Sequence, residues 1–219
     1  GNRLGLPLAR VVEKLGGVGD ARAVSLIAII DHAIPTVFSP DALEQAEAAR
    51  EAPLGKRTDL RDVPLVTIDG EDARDFDDAV WAEADGDDKN PGGWHLIVAI
   101  ADVAWYVRTN DALDKNAYER GNSVYFPDRV VPMLPEALSN GWCSLKPRED
   151  RPCMVVHLWI DADGDLLRHR FERALMRSAA RLTYEQVQAA KDGHPDETTA
   201  PLTESVLTPL YGAFASLLK

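Results

Sequence analysis

Between residues 67 and 80 the chain reads TIDGEDARDFDDAV, and this stretch restricts the fold more than any other. Six carboxylates fall between Asp69 and Asp78 (Asp69, Glu71, Asp72, Asp75, Asp77 and Asp78), with only Arg74 to offset them. VPLVTI precedes the run and AVWA follows it, so both ends of an acidic loop enter core-type strands. Asp75, Asp77 and Asp78 lie within four residues and cannot all move apart. In a poorly solvated site such a trio holds some carboxylates protonated unless a cation neutralises them.

Three accounts of the loop compete. A solvated acidic turn is the usual explanation of a charge run, and it stays open here. A calcium loop of the EF-hand kind requires glycine at position 6 and glutamate at position 12. Counted from Asp69 those positions hold Arg74 and Val80, so the pattern fails. The third account is a magnesium or manganese centre, because hard divalent ions take carboxylate oxygens and leave positions for water and phosphate. In extended chain Asp75 and Asp77 point one way and Asp78 the other, so a bend is needed to bring Asp78 in. The spacing favours the metal centre and does not identify its substrate.

The whole chain sets wider bounds. A net charge of −12 over 219 residues argues against a general basic surface for gripping phosphates. The two cysteines, Cys143 and Cys153, form no CxxC pair and read as reduced structural thiols. No apolar run approaches the roughly 18 residues of a membrane span, and GNRLGLPLAR lacks a signal-peptide core. These features predict a soluble, cytoplasmic chain. LGLPLARVVEKLG begins without a cap and PLYGAFASLLK stops inside an apolar run, so the expectation is a piece of a longer protein.

Local signals predict the elements. Asp20 is a candidate cap for a helix over ARAVSLIAIIDHA that must end before Pro35. Ser39, Pro40 and Asp41 open a helix over DALEQAEAARE. EAPLGKRTD reads as a linker, dividing a lead-in at 1–57 from a main domain at 58–219. Strands are expected over VPLVTI, AVWAEAD and the whole of WHLIVAIADVAWYV, with DGDDKNPGG as a long turn. A helix over Asn110 to Arg120 stops at Gly121. NSVYFPDRVVPMLPEALSN mixes a strand with a proline-started helical turn. CMVVHLWI, DADGD and LLRHRFERALMRSA form a hairpin, and Thr183 with Gln186 makes a capping box for TYEQVQAAK. Residues 191–203 read as a loop. This mixture is α/β or α+β.

The same residues resemble a known family. DLRDVPLVTIDGEDARDFDDAV, GWHLIVAIADVAWYV, RGNSVYFPDRVVPMLPEALSNGWCSLKPREDRPCM and SAARLTYEQV are similar, in that order, to the ribonuclease II/ribonuclease R family of RNB-domain 3′-to-5′ exoribonucleases. RGNSVYFP and CSLKPREDRPCM look nearer the ribonuclease R branch. The resemblance implies an RNB-type catalytic domain, a mixed α+β fold with a largely antiparallel sheet flanked by helices, here truncated at its C-terminus. It also implies Mg²⁺-dependent (or Mn²⁺-dependent), processive, two-metal hydrolysis of single-stranded RNA from its 3′ end to nucleoside 5′-monophosphates. The family's four metal-holding aspartates fall on Asp69, Asp75, Asp77 and Asp78, and Asp77 matches the one needed for chemistry but not for RNA binding. Tyr125 matches an aromatic that stacks on the terminal nucleotide, and Tyr184 one associated with preferring RNA over DNA.

Cold-shock and S1 domains of the same chain, a monomeric state and no membrane partner are implied with it. The alternatives are a family member that binds RNA without turnover, and a divalent-ion module without catalysis. Three departures stand out. Ala180 replaces the family's usual histidine, DGDDKNPGG is long, and a downstream arginine and second clamping aromatic lie beyond Lys219.

Outside the resemblance, Tyr125 before Phe126 and Pro127 would more often be core than clamp. DADGD is better explained by an Asp-Gly turn than by a site. Arg168, Arg170, Arg173, Arg177 and Arg181 could line an RNA channel or form a solvated strand face. His32, His95, His157, His169 and His194 show no metal-ligand spacing.

Overall fold

The structure is a computed structural model that describes residues 10, 11, 16, 17 and 21–219. Two helices come first, α1 (Ala21–Asp31) and α2 (Pro40–Glu47). Asp20, the expected cap of α1, lies outside the described residues. α1 ends before Pro35 as its sequence requires, and the Ser39 hydroxyl caps α2 by accepting from the Ala42 N–H. α2 is one turn shorter than the run DALEQAEAARE suggests.

The sheet strands are β1 (Thr58–Leu60), β2 (Val66–Asp69), β3 (Asp78–Ala84) and β4 (Trp94–Ala101). After α3 (Val103–Tyr106) and α4 (Ala112–Arg120) a small hairpin pairs β5 (Val124–Tyr125) with β6 (Val130–Val131). The long hairpin β7 (Asp150–Ile160) and β8 (Leu166–Arg177) leads to β9 (Ala180–Thr183), then α5 (Tyr184–Lys191) and α6 (Thr208–Leu217). One seven-stranded sheet runs β1-β8-β7-β4-β3-β2-β9. Its β1–β8 and β2–β9 pairings are parallel and the rest antiparallel. The largely antiparallel, mixed α+β architecture is therefore as expected.

Two apolar clusters cover the sheet. Alternation in β4 sends Ile97, Ala99 and Ala101 to one face, beside Ala79, Val155 and Met176 and under Ala42, Leu113 and Leu138. α2 belongs to this core, and Gln45 of α2 accepts from the Leu113 N–H at 3.2 Å. The second cluster joins Val66 and Leu182 of β2 and β9 to Val187, Val206 and Leu207. It is this packing that seats β9 beside the strand entering the acidic loop.

One predicted strand is corrected. WHLIVAIADVAWYV does not stay extended, because β4 stops at Ala101 and the chain turns into α3. The cause is Asp102, buried and ion-paired with Arg57 at 2.8 Å, which no periodic pattern reveals. Arg57 also lies over the Trp105 ring, 5.0 Å from its centroid. The Thr183–Gln186 capping box, the Gly121 stop and the DADGD turn appear as expected.

Arg168, Arg170, Arg173 and Arg177 each meet a different partner. Arg168 stacks on Trp159, Arg170 meets Glu172, Arg173 approaches Asp102, and Arg177 pairs with Asp150. His95 and His157 come together across strands, with Nε2 and Nδ1 3.0 Å apart, between Glu83 and Glu172. Burial holds the His157 imidazole below its ordinary range, against the pull of Glu172. Among the described residues no helix is long and apolar enough to cross a membrane.

α6 reaches the sheet only because position 212 lacks a side chain. A Cβ on Gly212 would stand 2.3 Å from the Trp94 ring, which packing cannot absorb. Gly212→Ala should cost about 1–3 kcal/mol in urea unfolding, the usual range for overpacking. A Trp94→Leu background should remove most of that loss, and an equal loss in both backgrounds would disprove the contact.

Candidate functional site

Asp69 is the last residue of β2 and Asp78 the first of β3, so two of the aspartates sit at one end of neighbouring strands. The chain between them bends at Gly70–Ala73, where the Ala73 N–H donates to the Gly70 carbonyl at 3.1 Å. Its far half is held by the segment before β7. The buried Ser144 hydroxyl accepts from the Phe76 N–H at 3.2 Å and donates to the Arg74 carbonyl at 3.3 Å. The Leu145 N–H donates to the Phe76 carbonyl at 2.6 Å, and the Ala101 N–H to that of Asp77 at 2.8 Å. The near half is held from β9, where one Arg181 nitrogen donates to the Gly70 and Glu71 carbonyls at 2.8 and 2.7 Å. The loop is thus anchored at both ends and is not a free solvated turn.

Its electrostatics follow from that anchoring. Burial, then the nearby charges of Asp78, Asp77 and Asp75, push the Asp69 carboxyl above its ordinary value, with Arg181 opposing. Asp78 is also raised, by desolvation first and by Asp77 second. Its side chain still meets solvent, so the crowding is one-sided. Asp69 Oδ2 is buried and has no hydrogen-bond partner. Two carboxylates raised by desolvation and then by neighbouring charge, with an orphaned oxygen on one of them, are chemically suited to a hard divalent cation. Side-chain convergence is a separate matter. Among the described residues no three acidic, histidine or cysteine side chains stand as a ready ligand set.

The expected aromatic residues occupy different positions. Tyr125, at the tip of the β5–β6 hairpin, is exposed, against the core placement its neighbours suggest, and its hydroxyl donates to Asp75 Oδ2 at 2.9 Å. Hydrogen bonding to that carboxylate, then burial, raises the Tyr125 hydroxyl pKa. Between loop and hairpin lies a cleft of about 810 Å³ whose walls include Asp72, Arg74, Asp75, Tyr125, Phe126 and Arg129. Tyr184 opens α5 on the other side, directly after Thr183, the parallel register partner of Asp69. It is exposed, and its hydroxyl joins none of the site's hydrogen bonds. Asp69, Asp75, Asp77 and Asp78 therefore share one field with Tyr125 attached, while Tyr184 flanks them. Arg181 and Ser144 are the site residues that motif reading missed. Their sequence signal was membership of the ARLTY and CSLKPRED blocks and, for Arg181, a place in the basic run, none of which points to the loop. Ala180, at the start of β9, is buried in the second cluster.

Comparison with known proteins is consistent across sequence and structure. The profile of the RNB domain matches residues 57–217. Ribonuclease R of Vibrio parahaemolyticus is 53% identical over 192 residues, covering 85% of this chain and 22% of that protein. Ribonuclease R of Escherichia coli is 50% identical over 206 residues, covering 90% of this chain and 24% of its own length. The solved structure of Mycoplasma genitalium RNase R in complex with double-stranded RNA aligns with a TM-score of 0.83 at 28% identity, over 92% of this chain and 36% of that one. The chain thus spans about a quarter of the length of these curated relatives.

The raised carboxyls give a signed prediction. A folded-state pKa above the ordinary aspartate value of 3.8 means that protonation favours the folded form, so the cost of Asp69 and Asp78 is present at neutral pH. That cost is relieved as pH falls through the raised values. Asp150, lowered by Arg177, has the opposite sign and loses its contribution only in stronger acid. In EDTA at pH 7, Asp69→Asn should therefore raise the melting temperature by roughly 2–4 °C. The gap from the parent should close toward pH 4, and a variant less stable at pH 7 would contradict the assignment.

Proposed function

Because this chain belongs to the RNB-domain family, we propose that it carries the hydrolytic centre of a 3′-to-5′ exoribonuclease of the ribonuclease R type. The observation that carries this reading is the anchored aspartate loop, with the unpartnered Asp69 oxygen at one end and Tyr125 fastened to Asp75 at the other. Asp69, Asp75, Asp77 and Asp78 would hold Mg²⁺, with Mn²⁺ as a substitute. Bound there, divalent ions would activate water and stabilise charge on the leaving oxygen of the last phosphodiester.

The chain's own residues supply the remaining requirements. Tyr125 lines the cleft, and its ring would stack on the terminal base, a contact worth roughly 1–3 kcal/mol. Its hydroxyl fixes the orientation of Asp75. Tyr184, exposed beside the end of β2, would contact the sugar and favour RNA over DNA. A net charge of −12 leaves little general affinity for a polyanion, so cold-shock and S1 domains of the longer protein would supply the basic surface. The remaining parts of the proposal are a monomer working processively in the cytoplasm on single-stranded RNA 3′ ends.

A second reading has one observation in its favour: among the described residues the acidic side chains do not already stand as a ligand set. It makes the protein an RNA-binding member without turnover, or a module that takes up ions without catalysis. Release of nucleoside monophosphates from 3′-labelled RNA by the intact protein, with and without EDTA, separates the readings. The proposal predicts release that EDTA abolishes. Asp77→Asn should lower it at least about 100-fold while RNA binding stays near that of the parent. Near-normal hydrolysis by that variant would overturn the assignment of Asp77.

A further inference from the structure

Arg181 is given no chemical role in the reading above, yet it is a cation that reaches the loop's backbone from another strand. It projects from β9, where its backbone is in register with Thr67, two residues before Asp69. One of its nitrogens grips the carbonyls of Gly70 and Glu71, immediately after Asp69. The same guanidinium lies over Phe76, 5.4 Å from the ring centroid, between Asp75 and Asp77. A single planar group therefore touches the loop next to three of its four aspartates. Its Nε is buried without a partner, a cost that mere packing would not retain.

A flexible loop of like charges would spread apart in the absence of a counter-ion. Ser144 and Leu145 prevent this at the far half, and among the described residues Arg181 is the side chain that bridges the near half to the far one. We infer that Arg181 is the positioning residue of the aspartate loop, holding the carboxylates preorganised for a divalent ion through the backbone of Gly70 and Glu71 and the face of Phe76. This rests on the metal-centre reading above and adds to it a residue that touches neither ion nor RNA. The fork is what matters, because an ammonium group cannot reproduce a planar donor set that also stacks on a ring.

The test uses two variants of the intact protein. Arg181→Lys keeps the charge and loses the fork, whereas Arg181→Gln loses the charge as well. Both should bind Mn²⁺ roughly 10–100-fold more weakly in calorimetric titration without RNA, as expected when a ligand-orienting group is removed. kcat should fall in parallel, with KM for RNA within about twofold of the parent. Amide exchange at residues 70–76 should accelerate in EDTA while the β7–β8 hairpin keeps its protection.

If Arg181 acted only as a charge, the Gln variant would bind Mn²⁺ more tightly and the Lys variant would match the parent. Either result overturns the inference, as does a raised KM with unchanged Mn²⁺ affinity. Should the Gln variant fail to fold, the Lys variant decides alone. A parent protein that takes up no Mn²⁺ refutes the metal centre itself. The exchange measurement needs no ion and would then still decide whether Arg181 holds the loop.

Discussion

Repulsion among carboxylates at the ends of β2 and β3 is the constraint on which the rest of this site depends. Strands that bury Val66, Thr67 and Ala79 must deliver Asp69 and Asp78 to the same edge, because β2 and β3 are hydrogen-bonded neighbours. Desolvation and mutual charge then act on both residues in the same direction. A protein selected for stability alone would place other residues there. On the proposed reading, that electrostatic cost would be exchanged for affinity toward a hard cation.

Holding that charge in place requires contacts from distant parts of the chain. β9 arrives beside β2 more than a hundred residues later, carrying Arg181 to the loop backbone and Tyr184 to its flank. Ser144 and Leu145, just before the long hairpin, close the loop from its other side. The β5–β6 hairpin brings Tyr125 across to Asp75 and creates the cleft. Neither core cluster contains the aspartates, but each fixes one of the elements that hold them. Substitutions well away from the carboxylates can therefore disturb the site through these anchors.

Much of this was legible in the sequence, for identifiable reasons. The acidic run, the strands around it, the Ser39 and Thr183 caps and the DADGD turn depend on neighbours within a few residues, where periodicity and side-chain chemistry act directly. Partners remote in sequence were not legible. The end of β4 depends on Arg57 meeting Asp102 in the interior. Arg181 looked like one member of a basic run until its register with Thr67 turned it onto the loop. Tyr125 escaped the core that its neighbours suggest because a two-residue strand carries it outward to a carboxylate. His95 and His157 have no meaningful spacing in sequence, yet the β4–β7 pairing sets them side by side.

The central claim is that the four aspartates tolerate one another because a divalent cation belongs among them. Anomalous scattering from crystals of the intact protein soaked in manganese addresses it directly. The account predicts a manganese peak bounded by Asp69, Asp75, Asp77 and Asp78. Crystals that take up manganese elsewhere, or leave these carboxylates without an ion, would contradict it.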